Sequence, residues 1–314
     1  MFSFTSLLST SITLFLLLAA GYLCGRLKIV DEVSSKNLST LIVQVGQPFL
    51  IINSLIGLEF TAENLKTGLL VLVLGLGMHI LLAALAYVGA LPIKGLDERK
   101  LAEFSMVFTN CGFIGFPILE SIFGAKGLFY GAFYIISFHL FTWTWGIVIL
   151  ARKRDDIKLT LKKALVNFGT IPSLIGFALF ISRIPLPTAI TSFTGYLASL
   201  CTPIAVIITG ANLARRSLKK MLTSPLVYYV NLWRLVIIPM VVTTFLWLIG
   251  IPDEFVVFSC VMAAMPTAAV TTMFGEMYGI QPGLAAEFVG STSVLCTATL
   301  VPVITYAAWL VGML

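Results

Sequence analysis

Charge is scarce in this sequence. Only 11% of its 314 residues are Asp, Glu, Lys or Arg, against about 25% in an ordinary soluble domain. Hydrophobic residues make up 59%, and the mean hydropathy is +1.02. A water-soluble fold of this size could not cover such a composition with polar surface. Disorder needs low hydrophobicity and high charge, so it is excluded as well. Histidine is rarer still, with 2 residues, His79 and His139. Neither has a Cys or carboxylate at ligand spacing, so no metal is expected. The five cysteines, Cys24, Cys111, Cys201, Cys260 and Cys296, all fall inside apolar runs. They read as small buried apolar side chains, not as a disulfide framework. His-Glu-x-x-His, Gly-x-Ser-x-Gly, Gly-Lys-Ser and paired aspartates within apolar runs are all missing. No enzyme, no catalytic residue and no cofactor is therefore expected. No Lys or Arg precedes the first apolar run, so a cleavable leader is not expected either.

What is present is a series of apolar runs. A spanning helix needs roughly 20 mostly apolar residues, and ten such runs are legible, near 5–25, 36–56, 65–91, 100–123, 127–151, 164–183, 186–211, 225–249, 254–276 and 283–312. The fold class expected is an all-α polytopic membrane protein whose immediate partner is the lipid bilayer. The net charge of +6 and pI of about 9.1 would suggest nucleic acid in a soluble chain. Here the basic residues sit in short loops, so they report orientation and no nucleic acid is expected. Loops after the odd-numbered runs carry Arg26, Lys28 and Lys36, then Lys94, Arg99 and Lys100, then Arg152, Lys153, Arg154, Lys158, Lys162 and Lys163, then Arg215, Arg216, Lys219 and Lys220. The opposite loops carry only Lys66, Lys126 and Arg183. That asymmetry predicts odd loops in the cytoplasm and both termini outside, in a plasma (inner) membrane.

The basic stretch at 152–163 lies midway, and the flanking halves, 1–151 and 164–314, align by their prolines and glycines. Pro48 answers Pro203, Pro117 answers Pro266, and Gly127-Leu128 answers Gly283-Leu284; on that register Ser137 matches Ser293. Five spans per half is an odd number, so the second half enters the membrane upside down. The result is a 5+5 inverted repeat with broken crossover helices in spans four and nine, a design common among secondary transporters.

The breaks carry the chemistry. Span four holds Asn110-Cys111-Gly112-Phe113-Ile114-Gly115-Phe116-Pro117, and span nine holds Met265-Pro266-Thr267-Ala268. A proline removes a donor and leaves carbonyls unpaired, which hydrocarbon tolerates only where protein, water or ligand meets them. If the two breaks cross, two half-helix N-termini converge and favour an anion, with Asn110 and Thr267 adding polar side chains. Gln47-Pro48 and Thr202-Pro203 form a second symmetric pair that either lines the same cavity or simply kinks. Arg234 lies deep in span eight, where it either counters an anionic substrate or pairs with backbone carbonyls. His139 and Glu287 are candidates for coupling to a proton or cation. Glu103 and Glu120, near the ends of span four, are expected to snorkel.

These stretches resemble the auxin efflux carrier family, which includes PIN-type auxin carriers and bacterial malate or malonate permeases. The resemblance rests on Phe108 to Pro117 followed by Gly124, Thr202-Pro203 with Gly210 to Ala214, Arg234 with Pro239, Met265 to Ala268, and Tyr134 to His139 followed by Trp143 and Gly146. It implies ten spans in a five-plus-five inverted repeat, a scaffold and a transport domain moving as an elevator, and small organic anions as substrates. It also implies Asn110, Pro117 and Pro266 at the crossover. Two positions depart from the pattern: His139 stands where many members have Asn, and Thr267 replaces an amide.

The function expected is secondary active transport of a small organic anion, a carboxylate or auxin-like acid. A sodium-coupled symporter of similar design is the alternative, with a membrane sensor or structural protein ranked below both. A homodimer is left open.

Overall fold

The computed structural model describes residues 4–56, 59–154, 156, 170–215 and 223–313. The expected linker 152–163, including Lys158, Lys162 and Lys163, and the basic residues Arg216, Lys219 and Lys220 fall largely or wholly outside them. The described residues are helical throughout apart from connections and one isolated two-residue bridge. In chain order the helices are α1 (Phe4–Arg26), α2 (Glu32–Ile56), α3 (Ala62–Ala90), α4 (Leu96–Val107), α5 (Cys111–Phe123), α6 (Ala125–Ala151), α7 (Thr170–Ser182), α8 (Thr188–Ala214), α9 (Pro225–Leu248), α10 (Asp253–Ala264), α11 (Val270–Met277) and α12 (Pro282–Leu310). Seven of them, α1, α2, α3, α6, α8, α9 and α12, are long and apolar enough to cross a membrane. The chain is thus a multi-pass membrane protein in architecture.

Local chemistry sets the boundaries. Asp31 and Thr61 accept from the N–H groups of Ser34 (2.8 Å) and Asn64 (3.0 Å), capping α2 and α3. Such caps satisfy donors that the first helical turn cannot. The Ser34 N–H also holds the Asp31 carboxyl below its ordinary range. Gly124 joins α5 to α6 at φ +61°, a left-handed conformation that L side chains rarely adopt. Large apolar side chains point outward from α1, α3, α7 and α9, with Leu16 60%, Val73 66%, Leu174 63% and Leu248 68% exposed. Surface of that kind in water would be a liability, and in lipid it is the expected exterior.

Inside, an aromatic core of Phe104, Phe108, Phe129, Phe133, Phe258 and Phe274 joins α4, α6, α10 and α11. Elsewhere glycines let backbones touch. A Cβ on Gly25 of α1 would lie 2.7 Å from the Ala211 carbonyl oxygen of α8, and one on Gly21 or Gly210 would collide with the partner's backbone. Gly176 likewise brings α7 close to α2, where its Cβ would lie 3.2 Å from the Ile52 Cα. So α1 packs on α8 while α7 packs on α2, and α3 packs on α4 while α9 packs on α10.

Candidate functional site

Two extended segments meet where helices stop. The last residues of α4 and α10 hand over to Phe108 (φ −93°, ψ 114°) and Met265 (φ −64°, ψ 150°), both extended. Thr109 and Thr267 then form an antiparallel bridge. The Asn110 N–H donates to the Pro266 carbonyl at 2.7 Å, and the Ala268 N–H donates to the Phe108 carbonyl at 2.9 Å. Each break therefore supplies the partners that the other lacks, which is how irregular backbone survives in an apolar interior. The Thr267 N–H donates to the Thr292 hydroxyl (3.1 Å) and its own hydroxyl donates to the Ser105 carbonyl (3.2 Å). Thr267 thereby ties the crossing to α12 and α4 and does not fold back on its own helix.

Beyond the crossing the chain becomes helical again. Asn110 caps α5, its side-chain oxygen accepting from the Phe113 N–H at 3.4 Å. The N–H groups of Cys111, Gly112 and Val270, at the starts of α5 and α11, have no backbone acceptor among the described residues. Glycines and proline were expected to make the break in span four, but the break falls before them, at 108–110. Gly112 and Gly115 lie in a wide π turn, Cys111–Gly115, and Pro117 lies in the helix that follows. The wide turn accommodates the proline, so Pro117 stands past the crossing while Pro266 stands within it. Gly115 permits close approach, since a Cβ there would lie 3.0 Å from the Met262 Cε. Thr202 donates to the Phe113 carbonyl at 2.9 Å.

Arg234 sits beneath the crossing with no exposed surface. Its Nε donates to the Met265 carbonyl (3.1 Å), one Nη to the Met106 carbonyl (3.0 Å), and the other Nη to the carbonyls of Met265 (3.0 Å) and Ala263. These carbonyls belong to the C-terminal ends of α4 and α10. A cation there meets the negative ends of both helix dipoles. No carboxylate contacts it among the described residues.

Other expected residues lie apart from this crossing. Gln47 and His139 form a buried pair, with the amide nitrogen 3.0 Å from the ring Nε2. The amide nitrogen can only donate, so the ring accepts there and carries its proton on Nδ1. His79 contacts the Gly75 carbonyl through Nδ1 (2.7 Å) and stacks on Phe141. Glu287 is half-buried near the start of α12, with no ion-pair partner among the described residues. Glu120 is exposed, but Glu103 does not snorkel: it is fully buried and held by both Nη groups of Arg152. A charge-assisted two-pronged bond offsets the desolvation that would otherwise drive it outward. The residues that sequence reading missed are Ser105, Thr109 and Thr292, which knit the crossing. A threonine at the centre of each extended segment was the available signal.

A family model described as a membrane transport protein matches residues 6–305. The chain belongs to that family. It is the family that the sequence resembled, that of the auxin efflux carriers. Among curated relatives, an uncharacterized transporter of Methanothermobacter thermautotrophicus is 24% identical over 293 residues, covering 92% of this chain and 93% of the relative. Another, from Methanocaldococcus jannaschii, is 24% identical over 293 residues, covering 88% and 91%. The crossing and the buried arginine are thus features of a membrane transporter.

Proposed function

We propose that the chain is a secondary active transporter of a small organic anion, working by elevator-type alternating access. On this reading it has ten spans in a 5+5 inverted repeat, with α4/α5 and α10/α11 as the broken fourth and ninth. The reciprocal packing of α1 on α8 and α7 on α2 supports that reading, because it places the first helix of each half on the second helix of the other. The two halves are 1–151 and 164–314, joined by 152–163, with both termini outside a plasma membrane.

The observation that carries the substrate class is the charge around the crossing. A helix end carries roughly half a unit charge. Arg234 offsets the two negative C-terminal ends of α4 and α10 with its single positive charge. The two positive N-terminal ends of α5 and α11 stay uncompensated, roughly one unit together. Their free N–H groups then favour one carboxylate, with Asn110, Gly112, Gly115, Pro266 and Thr267 around it. Thr202 holds the Phe113 carbonyl of α5, Gln47 and His139 line the path apart from the crossing, and His139 or Glu287 couples transport to a proton.

The test is a thermal-shift screen of the purified protein against small carboxylates and indole acids, with and without sodium. A ligand that binds only the folded state raises apparent stability. Asn110→Ala should abolish the shift with little loss of expression, because its cap bond is long. A shift that persists in Asn110→Ala counts against the crossing as the site, and a shift that appears only with sodium favours the symporter alternative.

A further inference from the structure

The end of the molecule at the α3–α4 connection holds an arginine whose guanidinium has no hydrogen-bond acceptor among the described residues. Arg99 lies in the first turns of α4; its guanidinium donates no hydrogen bond and forms no ion pair among the described residues, and its Nε is buried without an acceptor. The described carboxylates nearby are already committed. Asp97 pairs with Lys100 at 3.3 Å, Glu98 accepts from the Gln281 amide at 2.6 Å, and Glu103 is clamped by Arg152. Arg154 is spent on Asp156, whose carboxyl it pulls down from 3.8 to about 2, and on the Tyr278 carbonyl. A buried guanidinium donor left unmatched is costly, and charged donors find acceptors when any is within reach.

The ring of Tyr87 organises the place. The guanidinium carbons of Arg99 and Arg152 lie 5.5 Å and 5.6 Å from its centroid. Tyr87 itself is 45% exposed on the outer side of α3, beside Ile80, Val88 and Leu91, which are also exposed. An outward apolar face ending in a tyrosine and two arginines marks a boundary between hydrocarbon and headgroups. Lys94 adds an exposed positive charge on the connecting turn.

We propose that Arg99, which shares the Tyr87 ring with Arg152, binds the phosphate of an anionic phospholipid, whose acyl chains lie against the outer face of α3. The guanidinium fork of Arg99 matches phosphate oxygens in a way that an ammonium does not. Inorganic phosphate offers the same oxygens without the chains, so the apolar face beside Tyr87 favours the lipid. This site is independent of the substrate reading, since it shares no residue with the crossing.

The test is native mass spectrometry of the purified full chain in detergent, titrated with phosphatidylglycerol, with phosphatidylcholine and with inorganic phosphate. The wild type should retain phosphatidylglycerol in preference to phosphatidylcholine. Arg99→Gln should weaken that retention about fivefold, the effect of one interfacial charge on anionic lipid. The Arg99 guanidinium makes no hydrogen bond among the described residues, so its replacement should leave thermal stability near wild type. Arg99→Lys should recover only part of the retention. Arg183→Gln, which removes a charge stacked on Phe60 elsewhere, should change nothing. Equal retention in wild type and Arg99→Gln would overturn the proposal. So would displacement of the lipid by inorganic phosphate at comparable concentration, which would assign the site to a free anion.

Discussion

The hydroxyl of Thr202 donates to the Phe113 carbonyl at 2.9 Å, the carbonyl that Pro117, four residues on, leaves without a helical donor. The bond joins α8 to α5, so a proline of one half is completed by a threonine of the other. Thr202→Val keeps the shape and removes the donor, leaving a carbonyl in a mostly apolar setting. The expected loss is about 1–3 kcal/mol, and Thr202→Ser should restore most of it. Thermal unfolding of the three purified proteins measures both effects.

Backbone contact between α1 and α8 gives a second prediction. A side chain at Gly21 has no room, because the Ile207 backbone occupies its place, whereas Gly77 of α3 has nothing within 4 Å of a Cβ. Gly21→Val must separate the two helices and should cost at least about 2 kcal/mol. Gly77→Ala should be neutral or stabilising by about 0.5–1 kcal/mol, because alanine loses less backbone freedom in a helix. Comparable effects of the two on melting temperature would mean that α1 and α8 do not meet at Gly21.

Much of this was legible in the sequence, and the reason lies in particular residues. Apolar runs locate helices because the spanning length is fixed by the bilayer; the run near 186–211 became α8 at Thr188–Ala214. Breaks in spans four and nine were legible from Asn110 to Pro117 and from Met265 to Ala268. The exact place of the first break was not, because Pro117 can be absorbed by a π turn and a threonine from a distant helix. Nor was the partner of Arg234, since a guanidinium serves an anion or a set of carbonyls equally well and only three-dimensional placement decides. Glu103 misled for the same reason: its partner Arg152 lies 49 positions away.

Gln47 and His139 supply a prediction about protons. Their contact at 3.0 Å uses the neutral ring as acceptor, so protonation forces the amide to turn its oxygen to the ring. A cationic ring also attracts an anion. If His139 couples transport to a proton, anion affinity should be higher at low pH than at neutral pH, measured across the range in which the protein stays folded. His139→Asn keeps an amide partner for Gln47 and should bring the ratio near one without abolishing binding. A ratio unchanged by the substitution removes the histidine from the coupling and leaves Glu287 or the substrate's own carboxyl.

The charge balance at the crossing yields the most exposed prediction. Arg234 donates to the carbonyls of Met106, Ala263 and Met265, so removing it has two separable consequences. The first is structural. Arg234→Met strands three buried carbonyls, at about 1–3 kcal/mol each, and should prevent stable folding. Arg234→Lys keeps the charge but has a compact ammonium in place of the fork, so it should fold with a lower melting temperature. The second consequence is electrostatic. With the charge removed, as in Arg234→Gln, the negative ends of α4 and α10 cancel the positive ends of α5 and α11 and leave no net attraction for an anion. Anion affinity should then fall at every pH in Arg234→Gln, while Arg234→Lys retains most of it. The same balance, roughly one unit of positive charge at the open N-termini, sets a preference for singly charged anions. A dicarboxylate should therefore bind more tightly as pH falls and its second carboxyl takes a proton, and a monocarboxylate well above its own pKa should not show that component. Measuring both ligands across pH in wild type, Arg234→Lys and His139→Asn separates ligand protonation from protonation of the histidine. A dianion bound as tightly as its monoanion in Arg234→Lys and wild type alike would mean that further positive charge reaches the site, and the one-unit balance would fail.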